Sequence, residues 1–217
     1  KKYGGNIGDS VQTLINQFLP EMKVAEIQKT ANSYDFLGNS RSVFDVICNL
    51  GSKSFIEKDS AGFFFFETQD GFHFKSIDSL ISQKPVERYY KTDLLQENID
   101  NPANDFKILS STIRKNQNVI NAMNAGVFFT KNIFFNPKTF EEIETIYKFE
   151  DGKLVKSLGQ SAEAPDVNAY TKTHYSILDI GTLNPTVAGK DNNNPSEYQA
   201  QAAMRYNILF SQLVDIQ

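Results

Sequence analysis

The sequence predicts an α+β fold, and three observations carry that prediction. Apolar residues recur at helical spacing around Val11 to Phe18, Val43 to Leu50 and Tyr198 to Leu209. Two aromatic runs, Phe63 to Phe66 and Phe72 to Phe74, flank Asp70-Gly71 in the pattern of a β-hairpin. Beyond Pro85 the chain turns into short β-prone runs separated by Asn, Pro and Gly.

Taken in order, Asp9 or Ser10 caps a first helix whose Val11, Leu14, Ile15 and Phe18 share one face, and Pro20 ends it. Met22 to Lys29 reads as a short strand or an irregular segment. A second helix begins at Ser40 as N-cap, with Val43, Phe44, Ile47, Leu50 and Gly51 on one face. Cys48 lies beside that face and is expected to be a small, buried, unreactive core residue. After the polar loop Glu57 to Ser60, the strand Phe63 to Thr68 is aromatic enough to be buried on both sides. Asp70-Gly71 turns the chain, Phe72 to Phe74 return, and Ser76 caps a short helix through Ile81.

Pro85 is the expected boundary, leaving residues 1–85 as an α+β unit and residues 86–217 as a β-rich one. In the second unit Thr139 to Phe149 alternates in part, and Asp151-Gly152 is a second hairpin signal. Asn116 to Ala125 is compatible with a short helix or a loop. Gly159 to Ala169 and Gly189 to Asn194 are rich in turn formers and expected to be mobile. Pro195 at a first helical position opens a last helix, with Tyr198, Ala202, Arg205 or Tyr206, and Leu209 on one side. Ser211 to Ile216 begins a further strand.

Composition narrows the function classes. With 217 residues, 40% of them hydrophobic, and a net charge of -4, the chain excludes wholesale disorder, a collagen repeat and a coiled coil. Lys and Arg number 22 against 26 Asp and Glu, so no excess of positive charge awaits a phosphate backbone, and no nucleic-acid partner is expected. The longest apolar run is four residues, far below the roughly 20 that cross a bilayer as a helix. A single cysteine excludes an internal disulfide framework and a multi-cysteine zinc site. The chain opens Lys1-Lys2 without an initiator Met and stops inside a strand, so we expect it to be a piece of a longer protein.

No catalytic, cofactor-binding or metal-ligating set is predicted. Asp70 and His73 flank the hairpin turn like an orienter and a base, yet they lack a nucleophile, and a histidine between phenylalanines reads as packed. His174, Tyr175 and Asp179 lack metal-ligand spacing. Glu141, Glu142 and Glu144 read as a solvent face rather than a glycosidase dyad. Ser10, Ser42 and Ser157 lack the Gly-x-Ser-x-Gly elbow. Gly4-Gly5-Asn6-Ile7-Gly8 precedes a helix and is a weak phosphate-loop signal that a linker explains better. Phe63 to Phe66 as a ligand platform yields to core burial, because each buried ring is worth about 1.5 to 3 kcal/mol.

One passage resembles a known family. Asn39 to Leu50, containing Ser42-Val43-Phe44-Asp45-Val46-Ile47, followed by Gly62-Phe63-Phe64-Phe65-Phe66-Glu67-Thr68-Gln69-Asp70-Gly71 and continuing to Leu80, resembles the baseplate hub proteins of contractile-tailed bacteriophages. Late-control tail proteins and the base of the VgrG spike in type VI secretion are relatives of that family. The upstream Gly8-Asp9-Ser10-Val11 helix and the Gln83-Lys84-Pro85 exit fit the same order, so the likeness covers most of residues 4 to 90.

The resemblance implies a non-enzymatic virion protein of the tail baseplate, assembled in the host cytoplasm, forming a homotrimer as a full-length chain and joining the tail tube to the central spike. It also implies that residues 1–85 are an outer hub domain and that residues 86–217 are part of an antiparallel, tube-like β-barrel with helical insertions. Two other classes stand beside it. A receptor- or glycan-binding tail module would use Tyr89, Tyr90 and Tyr170 as stacking platforms, and a cell-wall hydrolase would use Asp70, His73 or the Glu141/Glu142 pair.

Overall fold

The computed structural model describes residues 1–38, 41–57, 60–91, 106–115, 118–126, 128–148, 169, 171–179, 181, 195–210 and 213–216. The fold is α+β, as the sequence predicts. A short strand β1 (Lys2–Tyr3) leads into helix α1 (Ile7–Phe18). Asn6 caps that helix, its Oδ1 accepting the Gly8 N–H at 3.0 Å, so α1 starts before the expected caps Asp9 and Ser10. Asp9 sits instead in the first turn, where a carboxylate favours the helix dipole, and Ser10 is buried. Asn6 wins because its amide also reaches the Thr30 carbonyl at 2.5 Å, a tertiary contact that local spacing does not encode.

The segment from Met22 resolves into strand β2 (Val24–Ile27), followed by β3 (Phe36–Leu37), which pairs antiparallel with β1. Helix α2 (Val43–Gly51) has Ser42 at its N-cap, with no side-chain cap bond; the expected cap Ser40 lies outside the described residues. Strands β4 (Phe63–Thr68) and β5 (Gly71–Ser76) form the hairpin foreseen at Asp70-Gly71. Gly71 adopts φ +127°, and a Cβ there would lie 2.3 Å from the Lys23 carbonyl oxygen, so the turn needs glycine for both reasons. Helix α3 (Ile77–Ile81) follows, its Ser76 cap accepting the Ser79 N–H.

Strand β5 is central in a mixed sheet, with β2 parallel on one side and β4 antiparallel on the other. Phe63, Phe72 and Phe74 point from this sheet into a core completed by Ile7, Val11 and Ile15 of α1 and Ile47 and Leu50 of α2. The phenylalanine strand corrects the expectation of burial on both sides: Phe63 is buried, while Phe64, Phe65 and Phe66 are half-buried, because β4 is an edge strand.

Cys48 is also corrected, since it is exposed. The core takes Ile47, Leu50 and Gly51 of α2, and the next residue around the helix turns roughly 100° away from Ile47. Phe44, placed on the same apolar face by spacing, remains partly exposed and rests on Phe65 and Phe72 at 5.9 Å each.

After Pro85, β6 (Ser111–Lys115) precedes α4 (Val119–Asn124), capped by Asn118. Strands β7 (Phe129–Asn136), β8 (Glu141–Lys148) and β9 (Lys172–Ile177) make a sheet in the order β8-β7-β9. Helix α5 (Pro195–Leu209) begins at Pro195 as expected, and β10 (Leu213–Ile216) pairs antiparallel with β6.

Of the expected barrel-like unit, the described residues show open sheets. Among the described residues the sheets are separate, with two or three strands each, none closes, and β9 joins β7 in parallel. Asp151-Gly152 and residues 159–168 and 189–194 lie outside the described residues. Among the described residues no helix is long and apolar enough to cross a membrane.

Helix α5 is the element that joins the parts. Ala200 packs with Phe134 and Leu178 against the β7–β9 sheet, whereas Ala202, Tyr198 and Tyr206 pack with Phe55 and Ala61 of the first unit.

Candidate functional site

Two ionic anchors, each built on a buried cation, lie where chain from beyond Pro85 meets the first unit. The first combines Tyr34, Lys53 and Asp179. Lys53 follows α2 directly, its backbone N–H bonded to Leu50 at 3.0 Å, and only 7% of its side chain is exposed. Tyr34 is positioned by its N–H on the Gly5 carbonyl at 2.9 Å. Asp179 comes just after β9, and its Oδ1 accepts the Gly181 N–H at 3.1 Å.

Lys53 Nζ donates to the Tyr34 hydroxyl at 2.9 Å and to Asp179 Oδ2, and the Tyr34 hydroxyl donates to Asp179 Oδ1. The ammonium also lies 4.6 Å from the centre of the Tyr34 ring. Burial pushes the Tyr34 phenol far above its ordinary range, and the Asp179 carboxylate adds to that, so the phenol stays protonated. Burial by itself would raise Asp179, but the hydrogen bonds from Lys53 and Tyr34, the Lys53 charge and the Gly181 N–H outweigh it and hold the carboxyl below its ordinary value. A cavity of about 160 Å³ opens beside the triad, with Arg41 and Asn49 also in its wall.

A proton donor, an ammonium and a carboxylate that satisfy one another leave no free nucleophile or base. What the arrangement does chemically is hold the end of β9 against the first unit.

The second anchor is Arg205 of α5, fully buried. Its Nη1 donates to the Ala61 carbonyl at 2.6 Å and its Nη2 to Asp78 Oδ1 of α3 at 2.7 Å, while Nε has no hydrogen-bond partner among the described residues. Tyr206 completes the clasp: its hydroxyl accepts the Phe63 N–H at 2.9 Å and donates to the Phe63 carbonyl at 2.5 Å. Burial pushes that phenol up to about 12, against the opposing influence of the Phe63 backbone and the Arg205 charge. Gln201 Oε1 accepts the Ala61 N–H at 3.0 Å. Thus α5 satisfies backbone groups of the chain entering the edge strand β4, where a free edge would otherwise stand.

The residues singled out by sequence fall elsewhere. His73 Nε2 meets Thr68 Oγ1 at 2.9 Å and the ring stacks on Phe66 at 5.0 Å, while Asp70 gives its N–H to the same Thr68 hydroxyl; no bond joins Asp70 to His73. Alternation along β9 puts the His174 and Tyr175 side chains on opposite faces of the sheet, although both residues border the cavity beside α5, and Asp179 goes to Lys53, so the three do not form one site.

Glu141, Glu142 and Glu144 are exposed, with Glu144 paired to Lys131 at 2.6 Å. Ser42 is the α2 cap and Ser10 sits in α1, away from any base; Ser157 and Tyr170 lie outside the described residues. Two N–H groups of the Gly4–Gly8 segment are already taken: Gly5 donates to Asp35 Oδ1 at 3.2 Å and Gly8 to the Asn6 cap. Tyr89 and Tyr90 are exposed, Tyr89 edge-on to Phe106 at 6.1 Å. Among the described residues no group of His, Cys, Asp and Glu side chains is placed to hold a metal ion.

Sequence reasoning missed Tyr34, Lys53 and Asp78. Arg205 carried a signal, a cationic residue at helical spacing from Ala202 within the apolar side of α5. No family model, curated protein or solved structure matches the chain.

Proposed function

We propose that this chain is a structural subunit of the baseplate hub of a contractile phage tail, working by shape rather than by catalysis. In this reading the full-length protein is a homotrimer in the virion, assembled in the host cytoplasm, with the tail tube and central spike as partners and no sequence-specific contact to nucleic acid.

The supporting observation is the outward face of the β8-β7-β9 sheet. Register places Tyr175 and Ile177 of β9, Phe135 of β7 and Ile146 of β8 on the face turned away from α5. Tyr175 is 76% exposed, Ile177 69% and Ile146 53%. We read that face, on which the Lys131–Glu144 ion pair also lies, as one that other chains cover in an obligate assembly. The family resemblance supports the same reading, because the elements that carry it, α2, the aromatic hairpin and α3, adjoin one another in the first unit.

Light scattering of the full-length protein across a range of concentrations tests the proposal. A trimeric mass that persists on dilution, and that falls to a monomer in Ile177→Asp, is the expected result. A full-length protein that stays monomeric throughout overturns it.

A further inference from the structure

The cavity of about 160 Å³ beside Tyr34, Lys53 and Asp179 is lined by one face of helix α2 and by strand β3. We propose that it is a binding site for a small apolar monocarboxylate.

The apolar part of the site follows from local structure. Val46, Asn49 and Leu50 stand three and four residues apart and so share one face of α2, and Phe36 and Leu37 of β3 supply the rest of the apolar lining. Phe36 and Leu50 are buried, whereas Leu37 is 44% exposed, so that lining runs from the core out to the surface. An apolar cavity of about 150 Å³ takes a group the size of benzene. The room here therefore suits one branched chain or one ring.

Arg41 decides the charge of the ligand. It stands just before the α2 cap, is exposed, borders the cavity and has no hydrogen-bond, ion-pair or ring partner among the described residues. The other cation in the wall, Lys53, is matched by Asp179, so the charged residues lining the cavity leave one positive charge in excess. Asn49, also exposed and with no side-chain hydrogen bond among the described residues, adds an amide donor. A carboxylate fits that pair, because a guanidinium fork gives it two parallel N–H···O bonds and the amide a third. A cation would meet the Arg41 charge instead. Inorganic phosphate has no apolar part for the walls, and Asp179 opposes its second negative charge.

Protein-detected NMR titration of the full chain tests the site. The probes are 4-methylpentanoate, a free acid, and N-acetyl-leucine, which carries the same skeleton as the end of a peptide chain. The controls are 4-methylpentanamide, 4-methylpentylamine and inorganic phosphate. At least one carboxylate should shift the amide signals of Leu37, Val46 and Asn49, and the tighter of the two tells a free acid from a chain end. The amide and the amine should bind about tenfold more weakly or worse, for want of the charge-assisted bonds, and phosphate should leave those signals in place. Arg41→Gln should weaken carboxylate binding by about tenfold with the melting temperature unchanged, since Arg41 holds no partner in the fold. Leu37→Asp, which sets a negative charge in the exposed part of the apolar wall, should abolish binding. No shift with either carboxylate, equal binding of the amide or the amine, binding of phosphate at these residues, or carboxylate binding that survives both substitutions overturns the proposal.

Discussion

Residues before Pro85 draw Ile7, Val11, Leu14, Ile15, Ile47, Leu50, Phe63, Phe72 and Phe74 into one core. The stretch beyond Pro85 joins Phe134 and Leu178 to Ala200 in a smaller cluster, and leaves Ile113, Ile120, Phe140, Ile146, Tyr175 and Ile177 largely exposed. Both stretches are rich in apolar side chains, so composition does not separate them; coverage does. The first unit has two helices laid across one face of its sheet, whereas the β8-β7-β9 sheet has α5 on one face and exposed apolar side chains on the other. Internal packing holds the first unit, while the second half depends on the anchors that tie it to the first.

The most direct way to break that contrast is to remove one ring from each half. Phe74 is fully buried on the central strand and stacks on Phe63 at 4.9 Å. Phe74→Ala should destabilise the protein by about 3 to 5 kcal/mol, through lost transfer energy and the cavity left behind. Tyr175→Ala, on the open face, should change the isolated chain by less than about 0.5 kcal/mol. Urea denaturation measures both, and near-equal losses would end the distinction.

Arg205 sharpens the comparison because it links the halves. Arg205→Met keeps the helix and most of the volume but leaves the Ala61 carbonyl and the Asp78 carboxylate unmatched, at a cost of about 3 kcal/mol. The loss should be local before it is global. Amide exchange should quicken at Ala61 and Phe63, whose N–H groups donate to Gln201 and Tyr206 of the same helix. Unchanged exchange at those two amides would mean that α5 is held some other way.

The Tyr34–Lys53–Asp179 anchor gives a smaller, pH-dependent effect. Asp179 is held below its ordinary value, so its contribution is present above about pH 4 and fades as pH falls through the folded value. Tyr34 is held above its ordinary value of 10.0, so its contribution is present below that pH and fades as pH rises through the folded value. Stability should therefore show a plateau bounded on both sides. Asp179→Asn should flatten the acid limb by about 1 kcal/mol or less, since 45% of that side chain is exposed and water screens it. Tyr34→Phe should flatten the alkaline limb. Denaturation midpoints measured across pH check both, and unchanged limbs in the two variants would show that other groups set the plateau.

These residues also mark how far the sequence is readable. Pro195, Ser76 and Asp70-Gly71 announce their helix start, cap and turn because each acts through its own backbone geometry. The start of α1 is different: Asn6, Asp9 and Ser10 are all capable caps, and the choice falls to Asn6 through Thr30, far along the chain. Lys53 and Asp179 are 126 residues apart, and Tyr34 and Asp179 are 145 apart, so no window of sequence holds the anchor. The parallel pairing of β9 with β7 is equally non-local, and antiparallel turn signals could not report it.

Cys48 carries the smallest effect and the most instructive error. Spacing puts it next to the apolar stripe of α2, but a nine-residue helix lying on a sheet has a single covered face, and the thiol falls outside it. Partial burial, with the nearby Asp45 charge, raises the thiol above its ordinary value, so thiolate is scarce at neutral pH even though the sulfur is accessible. Native protein should therefore react fully with a maleimide, slowly at neutral pH and faster as the pH climbs toward and past 9, while Cys48→Ser shifts stability by less than about 0.5 kcal/mol. Labelling that requires denaturant would return Cys48 to the core and with it the wider apolar face that the sequence suggested for α2.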